Sequence, residues 1–91
     1  MRIQWDEDKR QKILAERKLD LADLEGVLYQ PYIEDQSLSY AEQYRIIGFA
    51  RARLATFIIE YRQDAVGEFI CVVTAWGSTP QERKVYEQET Q

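Results

Sequence analysis

The chain has 91 residues, of which 45% are hydrophobic and 31% charged, and a formal net charge of -4. That length carries one core, the composition is that of a globular protein, and no apolar run approaches the roughly 20 residues of a membrane span. The acidic balance argues against a uniformly basic nucleic-acid surface, the lack of histidine removes the commonest general base and most zinc sites, and one cysteine cannot form an intramolecular disulfide.

Met1-Arg2-Ile3-Gln4-Trp5-Asp6 lacks the basic and then apolar pattern of a secretory signal, so the expected location is the cytoplasm. A short alternating segment ends at Trp5. Asp6 can cap a helix whose first turn holds Glu7 and Asp8, running to about Lys18, with Ile13 and Leu14 flanked by the stems of Arg10 and Arg17. Asp20 caps a second helix, with Leu19 placed to staple onto Leu24 and an apolar stripe of Leu21, Leu24 and Leu28. Gly26 weakens it and Pro31 stops it.

Tyr32 to Ser39 reads as a polar turn. Strands are predicted from Glu42 to Phe49, from Arg53 to Arg62 and from Glu68 to Ala75, the last holding Cys71 as a buried thiol. A turn over Gln63–Gly67 sets Arg62 opposite Glu68 and Leu54 opposite Trp76. Arg53, Ala55, Phe57, Ile59 and Tyr61 then share one face, and Arg62 lies on the other. Thr79-Pro80-Gln81-Glu82 is a capping box with proline in the first turn, opening a short helix before a frayed tail, Gln88 to Gln91. With no linker or repeat, the expectation is a single α+β domain over residues 1–91: an N-terminal strand and two helices packed on an antiparallel β-meander, with a short C-terminal helix.

The order of these signals resembles the BrnT family of bacterial toxins. It is carried by the strand ending in Trp5-Asp6, the basic helix, Val27-Leu28-Tyr29-Gln30-Pro31, Ala41 to Gly48, Arg53-Leu54, Glu60-Tyr61-Arg62, Thr74-Ala75 and Glu82 to Glu87. The resemblance covers nearly the whole chain. It implies a RelE-like fold acting as a metal-independent endoribonuclease, the toxin of a type II pair neutralised by a BrnA-like antitoxin, with DNA reached only through that antitoxin. Trp5, Glu42, Arg53 and Arg62 match polar or aromatic family positions, and Arg83 and Tyr86 match the closing helix. Two departures stand out. Where many members read Lys-His-Gly this chain has Arg17-Lys18-Leu19, and where they carry a basic pair after the last strand it has Trp76-Gly77.

RNA cleavage needs a base for the 2′-hydroxyl, cations for the charged transition state and an acid for the leaving oxygen. Arg45, Arg53 and Arg62 are the central cations, Glu42 or Glu60 the candidate bases, and Tyr44, Tyr61 or Tyr86 the proton donors. Trp5 or Trp76 could stack on an unpaired base. The candidate catalytic set is thus Arg53, Arg62 and Glu42, and the candidate RNA contacts are Trp5, Arg45, Trp76 and Tyr86. Each has a plainer alternative: a cross-strand Arg62–Glu68 pair, half-buried Tyr61 and Tyr86 with hydroxyls in water, and a Trp76 that closes the core. Gly48, Gly67 and Gly77 are isolated and the acidic pairs lack calcium-loop spacing, so no cofactor or metal is implied. The alternative to an active toxin is a BrnT-like protein-binding module whose catalysis has decayed.

Overall fold

Side-chain chemistry sets the helix ends in the computed structural model, which describes residues 2–36 and 40–90. β1 (Arg2–Trp5) leads into α1 (Glu7–Arg17), where the Asp6 carboxylate accepts from the Lys9 amide at 3.1 Å. Lys18 donates its amide to the Leu14 carbonyl at 3.1 Å and then ends α1 by turning into the left-handed region, φ 58°. Asp20 accepts from the Ala22 amide and caps a 3-10 turn, Leu21–Asp23, from which α2 (Leu24–Leu28) continues. The second predicted helix is therefore a 3-10 turn joined to a little over one α-turn. Thr79 and Glu82 form the reciprocal capping box of α3 (Pro80–Glu89), so Gln88 and Glu89 are helical where a frayed tail was expected.

The sheet runs β1-β5-β4-β3-β2, with β2 (Ile33–Gln36), β3 (Gln43–Ala50), β4 (Arg53–Gln63) and β5 (Glu68–Gly77). β2 to β5 form the antiparallel meander, and β1 joins parallel to β5, which makes the sheet mixed. β2 corrects the reading of residues 32–39 as a turn. Its Glu34 and Asp35 hide a strand in a polar sequence, and an edge position tolerates them. Residues 37–39 of that segment lie outside the described residues.

The β4–β5 register also differs from expectation. Asp64 and Gly67 exchange backbone hydrogen bonds at 3.0 and 3.2 Å, so the loop is only Ala65-Val66, with Gly67 at φ 142°. Arg62 consequently faces Phe69 instead of Glu68, and Trp76 faces Thr56 instead of Leu54. Between the Ile59–Val72 and Ile58–Thr74 pairs a bulge leaves Val73 without a partner. Below that bulge Ile70 and Val72 turn toward the helical layer, while Phe69 and Cys71 turn away. Cys71 is accordingly half-buried, not enclosed.

α1, the 3-10 turn and α2 cover one face. Ile13, Leu19, Leu21, Leu24 and Val27 pack there on Ile46, Phe57, Ile59, Ile70, Val72 and Ala75. Each such side chain contributes about 1.5–3 kcal/mol on leaving water. α3 lies on the opposite face, where Tyr86 meets Phe49 edge to face with centroids 5.6 Å apart.

An ion pair ties the start of β1 to the β4–β5 hairpin. Arg2 donates to both Asp64 oxygens, at 3.1 and 2.7 Å, and to the Gly67 carbonyl at 2.9 Å. The Arg2 hydrogen bond, helped by the Val66 and Gly67 amides, lowers the Asp64 pKa from 3.8 to about 2. A carboxylate depressed on folding stabilises fully above its unfolded value and loses that contribution as pH falls through its folded one. Asp64→Asn should therefore flatten the acid side of the stability curve: its urea midpoint and the parent's differ at neutral pH and draw together between about pH 4 and pH 2.

Candidate functional site

Of the residues singled out as catalytic, Arg53 and Arg62 do not meet. Strand alternation puts them on opposite faces, nine residues apart on β4, and the bulge lies on β5, so it leaves their relation unchanged. Arg62 donates through Nε to Glu60 at 2.9 Å, and Glu60 also accepts from Gln43 at 2.9 Å. Gln43 first, then Arg62, holds the Glu60 carboxyl below its ordinary range, which weakens it as a base. The cross-strand Arg62–Glu68 pair is replaced by this same-strand pair.

Arg45 shares the face of Arg62 but binds Asp35 with both forks, Nε to Oδ1 at 2.8 Å. Since Arg45 faces Ile58, Arg62 stands four residues along β4, about 13 Å away. Trp76, opposite Thr56, is six residues from Arg62, about 20 Å. Arg45, Arg62 and Trp76 thus form no single cleft. Glu42 is exposed just ahead of Gln43, which faces Glu60, so Glu42 shares an end of the sheet with Arg62. Arg53 is opposite Ala50 at the other end, eight residues from Glu42 and about 26 Å away.

The remaining aromatic candidates are engaged in structural contacts. Trp76 donates its indole N–H to Glu82 Oε1 at 3.0 Å, and the same oxygen accepts from Thr56 Oγ1 at 3.0 Å and the Thr79 amide at 2.9 Å. Arg45 Nη1 stands 3.7 Å from the other Glu82 oxygen. Trp76 therefore closes the junction between β5 and α3, the plainer of its two readings. Tyr86 donates to the Pro31 carbonyl at 3.1 Å, and Tyr61 donates to Glu34 at 2.7 Å; neither hydroxyl is simply solvated as expected. Burial, then Glu34, pushes the Tyr61 pKa well above its ordinary value, so that hydroxyl stays protonated. Trp5 packs on the core and donates to Glu7 at 3.0 Å.

A different cluster emerges where α1 ends against the sheet. Arg53 reaches across β5, its guanidinium lying against Gly77 where a Cβ would collide with it, and its Nη1 donates to the Arg17 carbonyl at 2.7 Å. Arg17 Nη1 donates to the Ala75 carbonyl at 2.8 Å. Both arginines and the neighbouring Lys18 are exposed, and among the described residues none has a carboxylate partner. Their hydrogen bonds use Nη1 alone. In each guanidinium Nε and Nη2 make no hydrogen bond among the described residues, and in Arg53 this edge lies against the Gly77 backbone. The two motif departures, Arg17-Lys18-Leu19 and Trp76-Gly77, meet at this corner. Sequence reasoning singled out Arg53 but treated Arg17 as packing; the adjacent cations Arg17-Lys18 at a helix end were the available signal.

Among the described residues no three His, Cys, Asp or Glu side chains gather as a metal site would require, and no helix is long and apolar enough to cross a membrane. Compared with protein-family models and with curated proteins, the chain matches none.

Proposed function

We propose that this chain acts on RNA as a BrnT-like, RelE-like toxin, with the corner formed by Arg17, Lys18 and Arg53 as its phosphate site. The observation that supports this reading is a pair of exposed arginines at one corner without a carboxylate partner, whereas Arg2, Arg10, Arg45, Arg51 and Arg62 each have one and, among the described residues, Arg83 on α3 is the one other arginine that lacks it. Three cations within one corner offset the overall charge of -4 locally and suit a phosphodiester in its charged, five-coordinate state. Gly77 does for Arg53 what a side chain there would prevent: it lets the guanidinium lie on the strand backbone. In a type II pair the corner would be covered by a BrnA-like antitoxin.

A second reading is favoured by Arg45 and Arg62. Both are neutralised on the sheet, and the corner offers cations without a neighbouring base, as a BrnT-like protein-binding module with decayed catalysis would.

Inducing the chain alone in bacteria separates the two. Growth arrest and loss of total RNA are expected from the parent and from Arg62→Ala, with both effects abolished in Arg53→Ala. Purified Arg53→Ala should bind single-stranded RNA at least about tenfold more weakly, with a shallower salt dependence, while losing only about 0.5–1 kcal/mol of stability. Normal growth with intact RNA from a folded, abundant parent sinks the nuclease reading and leaves the binding module.

A further inference from the structure

β1 is a free edge of the sheet, paired with β5 on one side only. Along such a strand half of the backbone N–H and C=O groups face outward and can accept another strand. The other edge, β2, carries Glu34 and Asp35 within the strand, a usual protection against such pairing, whereas β1 reads Arg-Ile-Gln-Trp and contains neither carboxylate nor proline.

Beside this edge runs a groove of about 340 Å³, lined by Arg2, Ile3, Gln4 and Trp5 of the strand and by Ala22 and Glu25 of the helical layer. Ile3 and Trp5 are half-buried and stand two residues apart on the helical side, the spacing at which alternate side chains of an added strand fall. The charge of the groove is set by its rim. Arg2 is neutralised by Asp64 and Glu7 by Arg10, while Glu25, Asp6 and Asp8 are exposed and without an ion pair among the described residues. An extended segment entering here would meet apolar side chains below and carboxylates around it.

We propose that β1 is the docking edge for an extended, lysine- or arginine-bearing segment of a partner protein, which adds as a sixth strand, sets alternate apolar side chains on Ile3 and Trp5, and places its cations at Glu25 and the acidic start of α1. RNA is the wrong occupant for a groove of this sign, and the groove includes neither Arg17 nor Arg53. The inference goes beyond the RNA-directed reading and does not depend on catalysis.

The test uses the full chain, labelled with ¹⁵N, and the peptide Lys-Val-Thr-Ile-Thr-Val-Lys with capped ends. The peptide should shift the amides of Ile3, Gln4, Trp5, Ala22 and Glu25 and slow hydrogen exchange of the outward-facing β1 amides at least tenfold at saturation. N-methylation of alternate peptide amides should abolish binding in one of the two registers, which contact without strand pairing would not do. The exposed substitution Glu25→Lys should weaken binding about fivefold while leaving the rest of the amide spectrum in place. The proposal is overturned if no β1 amide moves at millimolar peptide, or if a peptide with glutamate at both ends binds equally well. It also fails if a single-stranded uridine oligonucleotide or a second copy of the chain shifts the same amides in preference to the peptide. Growth and RNA integrity read the nuclease separately, so a chain that cleaves RNA but ignores the peptide loses only this edge.

Discussion

Replacing Glu82 by alanine is expected to lower the unfolding free energy by about 3 kcal/mol, although the residue lies in the first turn of a surface helix. Its side chain is buried and one oxygen gathers Thr56 Oγ1, the Trp76 indole N–H and the Thr79 amide at 2.9–3.0 Å. Loss of the α3 cap costs about 1 kcal/mol, and removing the acceptor of the half-buried Trp76 indole and of the buried Thr56 hydroxyl, which keeps Ser78 as a second partner, adds about 1–3 kcal/mol. Glu82→Gln retains an acceptor oxygen and should cost about half as much. Urea unfolding followed by tryptophan fluorescence measures both. A loss under 1 kcal/mol for the alanine variant would mean that water reaches Thr56 and Trp76 and that the carboxylate contributes only an ordinary cap.

Gly48→Ala is expected to destabilise the fold by about 1–3 kcal/mol despite its small size. Gly48 lies inside β3 under α2, and a Cβ built there stands 2.6 Å from Val27 Cγ1 and 3.2 Å from Tyr32 Cβ. Val27 is fully buried, so it cannot move aside without shifting α2. The two positions should therefore couple. Val27→Ala alone should cost about 1–3 kcal/mol by opening a cavity, yet in the Val27→Ala background Gly48→Ala should be close to neutral. Additive losses in that double-mutant cycle would show that β-strand backbone and not close approach requires this glycine.

These two sites differ in how far the sequence revealed them. Glu82 was legible as the partner of Thr79 because a capping box spans four adjacent residues; its hold on Trp76 and Thr56 was not, since β4 reaches it across the sheet. In the sequence Gly48 is one of several isolated glycines, and only the fold rests α2 on it. Arg53 stands out in the sequence as a cation on an otherwise apolar face. Its partners, the Arg17 carbonyl and the backbone at Gly77, lie 36 and 24 residues away and no local pattern announces them.

By itself the sequence determined the helix starts at Asp6, Asp20 and Thr79 and the alternation of β4 that sets Arg53 and Arg62 on opposite faces. Caps and alternation act over two to four residues, so their chemistry is complete within a short window. The tertiary structure decided the rest. A two-residue loop and a bulge at Val73 set the β4–β5 register, parallel pairing made β1 an edge, and packing of α1 on the end of β5 joined Arg53 to Arg17. Those outcomes depend on groups brought together by closing long loops, where which strand or helix arrives first in register is a property of the whole core.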